Sequence, residues 1–314
     1  MLKFSYLLCC FSFLLSGIFV MVGYNAVQQT CGRPVLSAEL RAKIKAKKDR
    51  IMREYETEQL NISTADGLNL SGLLVKRKQA KYTLLACHGY YLGKESMAYC
   101  LEVFPDAHIL LLDFRAHGES EGNLTTYGLA ESQDIKAAVS CLKENKLTAK
   151  LPLIAIGFSM GGALLLGALS QGVQLDAVIL DSCFADLRVQ MDRHFSRTDR
   201  LTRMIVPIIC QCFFWFAGVN VDAVSPVKWI QDIQTPLFII HSRNDKITFE
   251  QDAHKLHAAA PCSQLWLVDG SRHGGIRKDY PQQYREKIAA FIHPYITSNP
   301  VLPPPSLKLR RPSE

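Results

Sequence analysis

Ser159 stands in the stretch LIAIGFSMGG, a Gly-x-Ser-x-Gly pattern at the point where an apolar run gives way to helix-forming residues. A serine hydroxyl is a weak nucleophile at neutral pH. It becomes a useful one when a histidine takes its proton and a carboxylate holds that imidazole in the right tautomer. Both partners follow in the chain, acid first: Asp245 in HSRNDKIT and His273 in VDGSRHGG, each just past a short apolar run. Asp181, in VILDSCF, ends another such run and is the rival acid; Asp245 is preferred because it leads towards the run that delivers His273. By itself Ser159 could be a helix N-cap at an ordinary strand-to-helix turn. The ordered partners are what turn the pattern towards catalysis.

Acyl transfer also needs N–H donors aimed at the developing oxyanion. One is expected from Met160, at the start of the helix that follows the serine, and the second from Tyr90, after the His-Gly turn at 88–89. Tyr91 beside it reads either as a substrate contact or as a partly buried turn residue.

These groups need a scaffold that brings distant parts of the chain to one edge. YTLLACHG, AHILLLDF, LPLIAIGF, DAVILDS, PLFIIHS and SQLWLVDG are short, apolar and end near Gly, Asp or Ser, as fully buried strands do. Helical patterns such as TYGLAESQDIKAAVSCLKEN and TFEQDAHKLHAAA separate most of them. Strands joined by crossover helices imply a mostly parallel central sheet with helices on both faces. ETEQLNIST and LNLSGLLVKR around Asp66-Gly67 add an antiparallel hairpin at its start. Ligands in such folds bind beyond the carboxyl ends of the strands, where Ser159, Asp245 and His273 all fall.

The chain has 314 residues and a formal charge of +7, concentrated in residues 33–53, where eight Lys/Arg face only Glu39 and Asp49. The rest is nearly balanced, which argues against a nucleic-acid partner. Ten cysteines show no CxxC pair and no Cys/His spacing suited to zinc, so most are expected to be small buried apolar residues and no metal is expected. Residues 4–23 are uncharged and long enough to cross a bilayer of about 30 Å. They read as a single-pass N-terminal anchor, with a cleaved signal peptide as the alternative. Lys3 lies on one side of the span and Arg33, Arg41 and Lys43 on the other, which favours a cytoplasmic body over a secreted or periplasmic one. The expected organisation is an anchor over 1–32 without catalytic residues, a basic helical linker over 33–54 with Leu40, Ile44, Ile51 and Tyr55 as its apolar stripe, and a catalytic domain over 55–297. A Pro-rich tail over 298–314 follows.

The motifs HGYY, DFRAHGES, GFSMGG, DSCF, HSRNDKI and SRHGG stand in the order found in the α/β-hydrolase superfamily, which this chain resembles from about Glu56 to Tyr295. It is similar in particular to membrane-anchored α/β-hydrolase-domain proteins and to monoglyceride-lipase or serine-aminopeptidase-like esterases. The resemblance implies a serine hydrolase with no metal or organic cofactor, Ser159, Asp245 and His273 as triad, and structural roles for Asp113, Arg115 and His117. Bulky Tyr90 and Tyr91 stand where small residues are common in that family, and Arg272 where Gly is common.

Between DSCF and SPVKWI lies an insertion, about 184–225, whose second part, MIVPIICQCFFWFAGVNV (204–221), carries no charge. It reads as a short apolar lid whose Phe213, Phe214 and Trp215 would wall an acyl pocket. Carboxylic esters or lipid-like acyl compounds are the substrates that such a lid suits. A peptidase, a thioesterase and a catalytically silent membrane-tethered binding module are the alternatives.

Overall fold

The computed structural model describes residue 17 and residues 20–195, 200–260 and 262–297. The hairpin forms as expected: β1 (Thr57–Ser63) and β2 (Asn69–Val75) pair antiparallel with Ser63 opposite Asn69, and Gly67 takes the left-handed φ of +88° that the turn demands. The six apolar runs become β3 (Tyr82–Cys87), β4 (Ala107–Leu112), β5 (Leu153–Phe158), β6 (Ala177–Asp181), β7 (Leu237–Ser242) and β8 (Gln264–Val268). Together the eight strands make one sheet in the order β1-β2-β4-β3-β5-β6-β7-β8, with β2 antiparallel to both neighbours and every later pair parallel.

Helices cover both faces because the central strands are buried on both. On one face pack α4 (Glu131–Glu144), α5 (Met160–Ser170) and α8 (Glu250–Ala259); on the other lie α3 (Cys100–Val103) and α9 (Pro281–Ile296). Most of the described cysteines are buried and unpaired, as small apolar residues would be. The basic linker is α2 (Ala38–Glu54), capped by Ser37. Its expected stripe is only partly used: Ile51 is buried, whereas Leu40 at the other end is exposed, so the helix docks by its C-terminal end.

The N-terminal segment is more deeply integrated than its composition suggested. Residues 20–30 are helical, here α1, and Val27 and Cys31 join the main hydrophobic core with no exposed surface. Val27 and Cys31, near the end of the expected anchor 1–32, are therefore core residues. The rest of the expected anchor, residues 1–16, 18 and 19, lies outside the described residues, as does the tail from 298. Among the described residues no single helix is long and apolar enough to cross a membrane.

The β6–β7 insertion folds as α6 (Leu187–Phe195) and α7 (Arg200–Ala217). Successive residues of a helix point about 100° apart, so consecutive aromatics cannot share one wall. Phe213 is 0% exposed in the core, while Phe214 and Trp215 are 54% and 63% exposed. The expectation that these three line one pocket is corrected accordingly: Phe213 is a core residue. Truncating it, Phe213→Ala, is expected to cost about 3–5 kcal/mol in urea unfolding, whereas Phe214→Ala should stay within about 0.5 kcal/mol of the parent.

Candidate active site

Strand register sets the site. Cys87 is level with Gly157, Phe158 with Asp181, and Ser242 with Val268, so the turns after β3, β5, β6, β7 and β8 open on one edge. Ser159 occupies the sharp turn between β5 and α5 with φ 52° and ψ −116°, and its N–H donates to the Asp181 carbonyl at 2.8 Å. A non-glycine residue at such angles costs about 1–3 kcal/mol and persists only where its surroundings enforce it. Here the surroundings are backbone. A Cβ at Gly157 would lie within 2.5 Å of Gly162, and one at Gly161 would collide with the Cys87 carbonyl. The hydroxyl is not engaged as an N-cap: the Ser159 side chain makes no capping hydrogen bond to α5.

Beyond β7, Asp245 is buried and receives hydrogen bonds from the Ile247 N–H at 2.8 Å and the Thr248 N–H at 3.1 Å through one oxygen. Its other oxygen takes the Thr248 hydroxyl at 3.0 Å and the Nδ1–H of His273 at 2.7 Å. Burial pushes this carboxyl up, but the His273 ring and the backbone donors outweigh it and hold it below the usual carboxylate value. Asp245 is thus an acceptor fixed against the histidine. The His273 ring packs on Phe158, the residue before the serine, with centroids 5.1 Å apart.

Asp181 is used differently. Its oxygens accept from the Tyr284 hydroxyl at 2.8 Å and the Ser182 hydroxyl at 2.9 Å. Thr248 was not singled out from sequence, although Asp-x-x-Thr in NDKIT is the signature of a side chain that caps its own turn.

The two expected oxyanion donors come from touching turns. A Cβ on Gly89 would meet the Phe158 ring at 2.9 Å, and the start of α5 abuts the His88 carbonyl. Met160 is the first residue of α5, where helix N–H groups have no intrahelical acceptor. Tyr90 packs on Tyr127 with centroids 5.8 Å apart, and its hydroxyl donates to the Gln29 carbonyl at 2.7 Å. Tyr91 sits at φ +63° and spends its hydroxyl on the Val35 carbonyl at 2.8 Å, which leaves only its ring for a substrate.

The loop after β4 carries buried charge but no free chemistry. Lys94 Nζ is shared by Asp113 at 2.6 Å and Glu119 at 2.8 Å. Arg115 forks Asp134 and also holds Asp66 at 2.7 Å. His88 and His117 are buried with ring centroids 5.0 Å apart. The His88 Nδ1–H donates to the Gly89 carbonyl while its Nε2 accepts the Phe114 N–H at 3.2 Å.

The family model for the prolyl oligopeptidase family, Peptidase_S9, matches residues 121–299, more than half of the chain and the whole stretch holding Ser159, Asp245 and His273. The chain belongs to the prolyl oligopeptidase family. It is therefore a serine hydrolase of that type on an α/β-hydrolase fold. Among curated relatives, the uncharacterized protein YqkD of Bacillus subtilis is 28% identical over 246 residues, covering 76% of this chain and 80% of the relative. Among solved structures, the Pyrococcus furiosus esterase Pf2001 superposes with a TM-score of 0.66 at 23% identity, over 84% of this chain and 97% of that one. The α/β hydrolase GrgF from Penicillium gives 0.62 at 16% identity, over 77% and 100%.

Two measurements follow for this family member. Asp245→Asn should lower kcat by about 10⁴-fold, since the amide presents the wrong partner to the imidazole, whereas Asp181→Asn should chiefly lower the melting temperature. The second concerns His88, which burial and the neighbouring His117 push down from 6.5 to about 3. Between those values the unfolded chain binds a proton that the native state does not. Native stability should therefore fall as pH drops through that window, with a slope of up to about 1.4 kcal/mol per pH unit. His88→Asn should flatten the dependence of melting temperature on pH between 6 and 4.

Proposed function

We propose that this protein cleaves carboxylic esters or lipid-like acyl substrates through Ser159 as nucleophile, His273 as general base and Asp245 as the group that orients it. The observation that carries the reading is the 2.7 Å bond between His273 Nδ1 and Asp245, at the sheet edge where Ser159 is held in a strained turn. With Nδ1–H committed to Asp245, Nε2 is left as the acceptor for the serine proton. Ser159 Oγ then bonds to the substrate carbonyl carbon, and the carbonyl oxygen becomes an oxyanion facing the Met160 and Tyr90 N–H groups. Collapse of that intermediate breaks the bond to the alcohol, which leaves with the proton from His273. Water, deprotonated by the same imidazole, releases the acid and restores the serine.

The acyl preference draws support from the insertion. Both arginines of α6 are already neutralised: Arg188 pairs with Asp222 at 2.7 Å, and Arg193 pairs with buried Asp252 while stacking on Phe249. Neither is a fixed charge for a peptide terminus. Gln190 donates to the Ile247 carbonyl at 3.0 Å, which tethers α6 to the Asp245 loop and supports reading the insertion as a lid. The exposed rings of Phe214 and Trp215 on α7 are its candidate acyl contacts. We also infer a membrane location with a cytoplasmic body, from the uncharged run 4–23, the exposed Val20, Met21 and Val22 within it, and the basic residues of α2.

Labelling by a fluorophosphonate probe tests the nucleophile: wild type should react and Ser159→Ala should not, with ester turnover lost at the same time. A panel of esters from two to sixteen carbons then tests the substrate. Each methylene buried on the lid is worth about 0.8 kcal/mol, so three contacted methylenes separate long from short esters by about 2 kcal/mol. Replacing Phe214 and Trp215 by serine should weaken hydrolysis of long esters and spare acetate. Parallel chain-length profiles would remove the lid from substrate recognition, and faster cleavage of peptide amides than of any ester would make the protein a peptidase.

A further inference from the structure

The segment leading out of α1 into α2 does more than connect them. Its backbone is tied along its length to the loop after β4: Arg33 N–H donates to the Asn123 carbonyl at 3.1 Å, Thr125 N–H to the Cys31 carbonyl at 2.7 Å, and Gly32 bridges Leu124. The Arg33 guanidinium is spread over the carbonyls of Gly118, Ser120 and Gly122. Below, Val27 and Cys31 are sunk into the core. A segment fixed in this way presents its own carbonyls in set positions.

Three of those carbonyls are taken by tyrosine hydroxyls around the candidate oxyanion turn. Tyr90 donates to Gln29 at 2.7 Å, Tyr91 to Val35 at 2.8 Å, and Tyr127 to Thr30. Tyr91 and Tyr127 are two of the five non-glycine residues at positive φ among the described residues, at +63° and +56°. Such a conformation is disfavoured for a residue with a Cβ, so a tether is needed to hold it. Each of the two has a hydroxyl tether to this segment, and Tyr90, whose N–H is the candidate oxyanion donor, sits between them in space, with ring centroids 6.0 Å from Tyr91 and 5.8 Å from Tyr127.

We propose that residues 27–35 are a positioning element of the active site, holding the Tyr90–Tyr91 turn through phenol-to-carbonyl hydrogen bonds so that the Tyr90 N–H stays aimed at the oxyanion. The inference rests on the serine-hydrolase mechanism proposed above. The length of the two phenol side chains is what lets them reach across to the segment. The same run of chain that emerges from the apolar N-terminus thus enters the catalytic machinery directly, and its displacement should lower turnover without closing the site.

The test uses the full-length chain in detergent and the variants Tyr90→Phe, Tyr91→Phe and the double variant, which remove hydroxyls and keep the rings. A misaimed oxyanion donor acts on the transition state rather than on the bound substrate. The expected result with a butyrate ester is a fall in kcat of about tenfold for each single variant and more for the double, with KM within about twofold of wild type. A trifluoromethyl ketone, whose serine adduct places an oxyanion in the same position, should bind more weakly by the factor lost in kcat/KM. Hydrogen exchange should quicken at residues 89–93 and stay unchanged in β5, with the melting temperature nearly constant. A double variant whose kcat stays within about twofold of wild type, or whose loss lies only in KM with the ketone bound as before, overturns the proposal. Failure of the underlying mechanism has a separate signature, since Ser159→Ala would then keep its turnover and probe labelling; the exchange measurement reads the tether in either case.

Discussion

The arrangement depends on a backbone-to-backbone contact between two turns. β3 and β5 run parallel with Cys87 beside Gly157, so the turns that leave them emerge side by side. Gly161, in the first turn of α5, lies directly against the carbonyls of Cys87 and His88, where no side chain fits. That contact forces Ser159 into its strained conformation, because α5 can begin against the His88-Gly89 turn only if the chain reverses sharply after Phe158. It also brings the two candidate oxyanion donors together, since Met160 opens one turn and Tyr90 follows the other. The geometry of the proposed nucleophile and that of the proposed oxyanion donors are consequences of a single steric fit.

The loop that follows β4 is held by ion pairs centred on two buried cations, Lys94 and Arg115. Asp113 and Glu119 close on Lys94, and Asp134 with Asp66 closes on Arg115, each pair fixing the loop that follows β4. Breaking one partner of a buried pair strands the other charge, so the loop has one low-energy arrangement. On this loop rests the segment 29–35, through the fork of Arg33, and on that segment rest the tyrosines. Rigidity passes outward from ion pair to loop to segment to turn. His88 belongs to the same layer: neutral, it ties the end of β3 to Phe114 after β4, and a proton on it would remove the acceptor that Phe114 N–H requires.

The parts of this order that were legible in sequence are those written in side chains at fixed spacing. Six strands could be read because each is a short apolar run ended by Gly, Asp or Ser, and the first two from the Asp66-Gly67 hairpin turn; the Gly-x-Ser-x-Gly pattern, Asp245 and His273 each follow one of the six. Strand order favours Asp245 over Asp181; in the structure Asp245 bonds His273, and Asp181 bonds Tyr284 and Ser182. Backbone acceptors have no sequence signature. Nothing in GYY announces that two phenols reach the carbonyls of Gln29 and Val35, sixty-one and fifty-six residues away. Likewise an uncharged stretch such as 204–221 does not reveal which residues face inward; helix phase decides it, and it put Phe213 in the core and its two neighbours outside. Val27 and Cys31 were hidden for a related reason, because two buried residues at the end of an apolar segment look the same as the segment's own hydrophobicity.

The integration of the N-terminal segment ties the start of the described chain to both the insertion and the candidate site. A flexible tether would leave the body free to rotate, and its removal would leave the site untouched. Here Gly23 on α1 lies against Cys212 of α7, Tyr24 packs edge-on to Phe216 at 5.4 Å, and the next residues reach the core and then the oxyanion turn. The helix that continues the apolar run therefore touches the insertion on one side and the catalytic turn on the other. Exposed Val20, Met21 and Val22 and exposed Phe214 and Trp215 belong to these two packed helices, so a surface that receives the first group comes close to the second. Apolar side chains left uncovered on adjoining helices are stabilised by a shared apolar medium more than by water, in proportion to the area they bury. The pose of any surface that covered both groups would be set by α1 and α7 together.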